Sequence, residues 1–388
     1  TPNGGTGDAL AQVPAAWIAG ADVLVLNGDL PLIRGTTLRT LVEAHRASGA
    51  PATITSVGDA AREDGHVVRN ADGTLRGIVE HRDATPAERA IAETNVGAYC
   101  LRGEALPSAL AQLTTDNDQG QLYLTDLFAK LPGTRILVME DPDESIGVND
   151  RVQLARASAA LRRRRLERLM LGGVTIVDPA TTLVEDDVEI GQDTVVEPGT
   201  IIRGGTRIGR RCHLGPFSEI ADAEIGDDVT VTHSWVRGAR LRDGSDCGPF
   251  AKLRPGTEVG SSVHVGSFAE LVRTKVGAHS AVPHVSYLGD TTVGERVNVA
   301  AGTITANFDG VRKNPTVLGD DVFVGVDTMF VAPVSVGNGG RTGAGSVVTH
   351  DVPEGVTVVG MPARRIRRTA PDPATHDPVP RAGAPEER

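Results

Sequence analysis

Aromatic residues are nearly absent from this chain: two Trp, three Tyr and seven Phe among 388 residues, or 3%. That scarcity argues against a core built on rings. With 46 Gly, the composition fits stacked short segments of small and β-branched residues. Cysteine is scarce too. Cys100, Cys212 and Cys247 are odd in number and widely spaced, which argues against a disulfide frame or a zinc cluster and implies a reducing, cytoplasmic setting. Positive charge is in deficit: a formal net charge of −11 lacks the basic face that nucleic-acid binding needs. No apolar run approaches the roughly 18 residues of a membrane span, and no signal-peptide pattern is visible. Neither nucleic acid nor membrane is an expected partner. The first residue, Thr1, reads as lying within a domain, so a fragment of a longer chain is expected.

What is present divides the chain by register. Up to about residue 150, strand-like and helix-like stretches alternate as in an α/β domain. "ADVLVLNGD" (Ala21 to Asp29) is a continuous apolar run that predicts a buried parallel strand. "TTLRTLVEAHRASG" (Thr36 to Gly49) predicts a Thr-capped helix with a Gly stop, and "ATITSV" (Ala52 to Val57) the next strand. Residues 149–171 predict one long helix closed by Gly172 and Gly173, whose Arg162–Arg165 run reads as a solvated face before an anion site.

Beyond it a hexad takes over. Ile190, Val196, Ile202, Ile208, Leu214 and Ile220 are each six apart, as are Leu253, Val259, Val265 and Leu271, and again Leu318, Val324, Phe330 and Val336. One inward aliphatic per short strand, with Gly or Asp at the corners, predicts coils stacked into a parallel β-helix. The hexad breaks at "ANFDGVRKNPT" (Ala306 to Thr316), which must loop out, and such loops usually line a solenoid's binding face. The layout is an α/β domain over 1–148, a helical arm over 149–173, a hexapeptide β-helix over 174–368 and a Pro-rich, disordered tail over 369–388.

Nine segments in this order carry a family resemblance: "GTGDAL", "LNGDLPLI", "GIVEHRDAT", "ETNVGAY", "GVNDR", "GPFAKLRPG", "PHVSYLGD", "NVAAGTITANFDG" and "DTMFVAPVSVG". Together they resemble the bifunctional N-acetylglucosamine-1-phosphate uridylyltransferase/glucosamine-1-phosphate acetyltransferases over almost the whole chain except the tail. The resemblance implies a Rossmann-like nucleotidyltransferase domain, a left-handed β-helix, and a homotrimer with acetyl-transfer sites between subunits.

By that resemblance the first domain joins UTP to N-acetylglucosamine 1-phosphate and releases pyrophosphate. Asp29 ends a strand, where ligands of α/β sheets sit, and a hard carboxylate there suits Mg²⁺. Asn149 matches the family's second metal ligand. Gly5 and Thr6 match uracil contacts, and Asn27, Gly28 and Asp29 form the uridine-nucleotide segment. Gly65, Glu80, Asn95 and Asn149 match contacts to N-acetylglucosamine 1-phosphate, with Thr125 near the same pocket. Asn27 stands where the family commonly has a larger residue. The family's opening strand and Gly-rich loop, whose Arg and Lys hold the triphosphate, do not precede "TPNGGTGDAL". This chain as written is therefore expected not to run the uridylyl transfer.

The β-helix would move acetyl from acetyl-coenzyme A to glucosamine 1-phosphate. A free amine must lose a proton, and histidine is the side chain suited to accept it near neutral pH. His284 matches the general base. Arg254, Tyr287 and Asn298 match contacts to glucosamine phosphate. Ala301, Asn307, Phe308, Val326 and Ala344 match contacts to acetyl-coenzyme A, with Phe308 replacing the usual Tyr. Lys313 reads equally as a phosphate contact or a solvated loop residue. In "AELVRTKVG" the slot of a phosphate-binding Lys is Val272, and Arg273, its neighbour on a strand, is expected to point the other way. A weakened, re-routed or substrate-shifted acetyl transfer is expected. Two alternatives stay open: a sugar-1-phosphate nucleotidylyltransferase homologue with altered or lost acetyl transfer, and a non-catalytic regulatory or assembly subunit.

Overall fold

A computed structural model describes residues 4–58, 64–117 and 119–366; the Pro-rich tail lies outside the described residues. The chain divides into two compact units, residues 1–161 and 162–388. Among the described residues no helix is long and apolar enough to cross a membrane.

The first unit is a mixed sheet with helices. Its strands are β1 (Asp22–Leu26), β2 (Ala52–Gly58), β3 (His66–Arg69), β4 (Leu75–Val79), β5 (Glu93–Arg102) and β6 (Arg135–Val138), in the order β4-β3-β5-β2-β6 with β1 also on β5. Helix α1 spans Gly5–Ala11 and α2 spans Gly35–Ser48. The long strand β5 organises the sheet, because alternate side chains serve opposite cores. Ala98 and Cys100 pack with Leu41 of α2, whereas Tyr99 and Leu101 join Ile54, Leu106, Leu127 and Phe128.

Two local expectations need correction. The run predicted as a buried parallel strand is β1, which pairs antiparallel with β5, Leu24 opposite Cys100 and Leu26 opposite Ala98. Val23 and Val25 face a core, but Leu24 and Leu26 remain 43% and 42% exposed. A run apolar on both faces is therefore covered on one. Helix α2 also starts without a Thr cap: its N-cap residue is Arg34, whose backbone N–H donates to Glu144 Oε2 at 2.8 Å. The Gly stop holds, with Gly49 at φ 66°. Among the described residues, parallel pairing in this sheet is confined to β2 with β6.

Helix α3 (Arg151–Leu171) ends where predicted and starts two residues later than the expected 149. Its start is fixed by a reciprocal cap: Asp150 Oδ1 accepts from Gln153 N at 2.7 Å, and Gln153 Oε1 accepts from Asp150 N at 3.2 Å.

In the second unit every hexad aliphatic named above points inward, and all but the half-buried Ile190 are buried. Val196 pairs with Leu214, Ile202 with Ile220 and Ile208 with Ile225, each in a different parallel sheet. Three strands thus close one coil, and the coils stack into sheets of twelve, ten and nine strands. Glycine at a corner has a steric cause: a Cβ on Gly209 would lie 2.5 Å from the carbonyl oxygen of Gly226 on the next coil. Residues 307–315 leave the coil between the strands Ile304–Ala306 and Thr316–Leu318, as the broken hexad predicts. All three cysteines are buried and free.

Candidate functional site

The first unit encloses a cavity of about 1030 Å³. Thr6, Asn27, Asp29, Gly65, Glu80, Asn95, Thr125 and Asn149 all line it. These residues come from α1, the segment after β1, the residue before β3, the residue after β4, strand β5, the 3-10 turn that Thr125 opens and the approach to α3, so distant pieces of sequence converge on one space. Gly5 and Gly28 are not in its wall; Gly5 (φ 84°) instead starts α1 where a Cβ would lie 2.6 Å from the Leu122 carbonyl. Thr6 Oγ1 accepts from Leu124 N at 3.1 Å, which ties α1 to the segment carrying Thr125.

Asp29 and Asn149 meet because the backbone between them is clipped: Val148 N donates to Asp29 O at 3.0 Å. A Cβ placed on Gly147 would lie 3.4 Å from Asp29 Oδ2 and 4.0 Å from Asn149 Nδ2. One carboxylate and one amide side chain therefore flank a common point. Among the described residues no group of three or more His, Cys, Asp or Glu could hold a metal. Two hard side chains fit an ion that takes its remaining ligands from water and phosphate, which is the habit of Mg²⁺.

The opposite wall is rich in acceptors. Thr125 Oγ1 donates to Glu80 Oε1 at 2.8 Å, and burial pushes the Glu80 carboxyl above its ordinary value despite that bond. Asn95 Nδ2 donates to the Tyr99 hydroxyl at 2.7 Å, and Asn95 Oδ1 is buried with no partner among the described residues. Burial also pushes the Tyr99 hydroxyl upward. Sequence reasoning missed His81, Arg82, Gln153 and Arg156, which line the same cavity. The helical spacing of Asn149, Gln153 and Arg156 along one face was the available signal.

The candidate acetyl-transfer residues lie on the solenoid surface. His284 is exposed and ends the strand Ala281–His284; Ser267 pairs with it one coil below. The residue after it, Val285, turns the corner at φ 39°. Above that corner Gly302 N donates to Val285 O, Asp327 N to Ala301 O and Gly345 N to Val326 O. Ala301, Val326 and Ala344 therefore repeat the His284 position on three successive coils. Below it the corner is aromatic. Phe217, His233, Phe250 and Phe268 stack with ring centroids 5.9, 5.6 and 5.3 Å apart, all at positive φ, and the three Phe are 69%, 55% and 61% exposed. Non-Gly residues adopt that backbone rarely, and bulky ones at some cost.

Past the corner, Tyr287, Arg254 and the ejected loop share the ten-stranded face. A Cβ on Gly289 would lie 2.8 Å from the Tyr287 hydroxyl and would collide with the Asn307 amide. Tyr287 and Asn307 thus converge over a residue that must lack a side chain. Asn298 is on the twelve-stranded face, on the other side of the His284 corner. Phe308 is exposed and bridges to Lys313 across the loop, whose base is held by Asn307 Nδ2 donating to Asp290 Oδ2 at 2.6 Å.

Val272 stacks between Arg254 and Gly289 at an outward position, yet it is 2% exposed. Arg273 is a corner residue at φ 48° whose guanidinium donates twice to Asp290, at 2.5 and 2.9 Å. It is committed to the loop anchor. Arg254 Nη1 donates to Glu270 Oε1 at 3.0 Å.

The bacterial transferase hexapeptide family (six repeats) matches residues 187–222. The chain is 44% identical over 364 residues to the bifunctional protein GlmU of Synechococcus sp. (strain CC9605), covering 92% of this chain and 80% of that protein. It is 44% identical over 354 residues to the bifunctional protein GlmU of Syntrophomonas wolfei subsp. wolfei, covering 90% and 79%. Among solved structures, LpxA from Acinetobacter baumannii aligns at 20% identity and a TM-score of 0.33, covering 46% of this chain and 73% of that one. The chain therefore belongs to the bifunctional GlmU family and is a transferase.

Proposed function

We propose that the chain's two units carry the sites of the two steps of UDP-N-acetylglucosamine synthesis: acetyl transfer from acetyl-coenzyme A to glucosamine 1-phosphate on the solenoid, and uridylyl transfer from UTP to N-acetylglucosamine 1-phosphate in the cavity of the first unit. The observation that carries it is the corner on which exposed His284 is continued by Ala301, Val326 and Ala344, a track of small residues beside an exposed imidazole. His284 takes one proton of the sugar ammonium, the freed amine nitrogen bonds to the thioester carbonyl carbon, and as the C–S bond breaks a second nitrogen proton passes to the leaving thiolate, which departs as the thiol. Tyr287, Arg254 and Asn298 hold the amino sugar phosphate, and Asn307 and Phe308 the cofactor.

In the cavity, Asn95 and Glu80 receive sugar donors, and Arg82 and Arg156 supply positive charge for phosphate. Asp29 and Asn149 would hold Mg²⁺, which neutralises phosphate charge and orients the phosphates. The proposal includes a homotrimer. Its support is the exposed aromatic ladder on the corner of His284, and the position of Asn298 on a different face from Tyr287, which a neighbouring copy would reconcile.

A second reading is favoured by Val272. With an apolar residue under the loop and Arg273 paired to Asp290, the acceptor phosphate has one cation fewer. One lost charge-assisted bond corresponds to about 1.5–3 kcal/mol, enough to shift the preferred amino sugar. Coenzyme A release on mixing the chain with acetyl-coenzyme A and glucosamine 1-phosphate tests both readings. Release that is saturable by this sugar supports the first. Release with another amino sugar only, restored to glucosamine 1-phosphate by Val272→Lys, supports the second.

A further inference from the structure

A histidine pair stands at the acceptor-rich wall of the cavity in residues 1–161. His66 opens β3 and is 1% exposed, and its Nε2 lies 3.0 Å from Nδ1 of His81. Nδ1 of His66 lies 3.1 Å from the carbonyl oxygen of Ile91. A carbonyl only accepts, so Nδ1 of His66 carries a proton. In the neutral imidazole the other ring nitrogen, Nε2 of His66, then offers a lone pair. The bond between the rings then needs a proton on Nδ1 of His81, which in the neutral ring leaves Nε2 of His81 bare. That atom has no partner among the described residues, and His81 lines the cavity.

We infer that His81 is a ligand-contacting residue, held by His66 and the Ile91 carbonyl as the Nδ1–H tautomer so that its Nε2 accepts a hydrogen bond from the bound sugar. The inference rests on the sugar-phosphate reading of the cavity. The ligand chemistry follows from the wall. Asn95 Oδ1 is buried without a donor, and the carboxylate of Glu80 receives Thr125 alone from among the described side chains. With Nε2 of His81, three acceptors wait on donors. Their complement is a row of hydroxyls, or the N–H of an acetamido group, and not a carbonyl or a phosphate oxygen. His66 is a positioning residue: it touches no ligand, and acts through the proton it denies to Nε2 of His81.

Long-range ¹H–¹⁵N correlations on the full chain, labelled with ¹⁵N at histidine, test this directly, with His66→Gln and His81→Gln assigning the two rings. In the ligand-free chain His81 is expected as the Nδ1–H form, the minor tautomer of free histidine. N-acetylglucosamine 1-phosphate should then move the Nε2 resonance of His81 while Nδ1 stays protonated. His66→Phe removes the acceptor, returns His81 to the Nε2–H form and weakens binding of this sugar phosphate about tenfold. His66→Gln, whose amide oxygen accepts from His81 while its nitrogen serves Ile91, keeps the tautomer and the affinity. An Nε2–H His81 in the native chain overturns the inference, as does a folded His66→Phe variant with switched tautomer and unchanged affinity. A native chain with Nδ1–H His81 that binds no N-acetylglucosamine 1-phosphate overturns the sugar-phosphate reading, and the contact with it.

Discussion

Asp290 shows how much of the solenoid site depends on single side chains. Its carboxylate receives Arg273 and Asn307, and the Arg273 bonds hold it below the ordinary carboxylate range, with Asn307 adding to the effect. A carboxyl depressed on folding contributes stability that is complete above its unfolded value, about 3.9. That contribution is lost as pH falls through the folded value. The anchor of the ejected loop is therefore expected to hold at pH 5 and to release well below pH 4. Within the loop, Asp309 accepts from the backbone of Arg312 and Val311 and from Asn314, which pushes its carboxyl down to about 2. Hydrogen exchange, corrected for intrinsic rates, should show Asn307 losing protection first on acidification while Val311 and Arg312 retain theirs. Simultaneous loss at all three would contradict this order. Gly289 belongs to the same cluster, since only its missing side chain lets Tyr287 and Asn307 meet.

Coils are the unit of stability in the solenoid, because each buries its aliphatics chiefly against the coils above and below. Phe330 is fully buried between Thr305 and Val348 of adjacent coils. Phe330→Ala is expected to cost about 3–5 kcal/mol, read by denaturant unfolding, with protection lost around residues 304–348 and kept near Val196. Uniform loss along the whole solenoid would contradict a nearest-neighbour description. The hexads in this half were legible in the sequence because one aliphatic per strand repeats without interruption from Ile190 to Ile220. The phase slips where Ile220 is followed by Ile225, only five residues on, as the chain passes from the ten-stranded to the nine-stranded sheet. Strand β1 was misread for a different reason. Its Val-Leu-Val-Leu run carries the same composition on both faces, and nothing local tells which face α2 leaves uncovered. Candidate site residues such as Asp29 and His284 stand out only through whole motifs. His66 and His81 do not, because their meaning comes from a ring–ring contact between β3 and the turn after β4.

For the molecule as a whole, the exposed Phe217–Phe268 ladder is the most demanding surface feature. A column of rings parallel to the solenoid axis is complementary to the same column in a copy related by rotation about a parallel axis. Phe250→Asp is expected to convert a trimer to monomers in sedimentation velocity, and to lower acetyl transfer with it; an unchanged sedimentation coefficient would place the interface elsewhere. Assembly and chemistry meet at one residue on the same corner. The measurement to make first is coenzyme A release from acetyl-coenzyme A and glucosamine 1-phosphate by the native chain beside His284→Ala, both checked for the same assembly and melting temperature. A general base at His284 leads to turnover in the native chain and a loss of at least about a hundredfold in the variant. Equal turnover in the two would contradict the role given to His284 and, with it, the acetyl-transfer site on this corner.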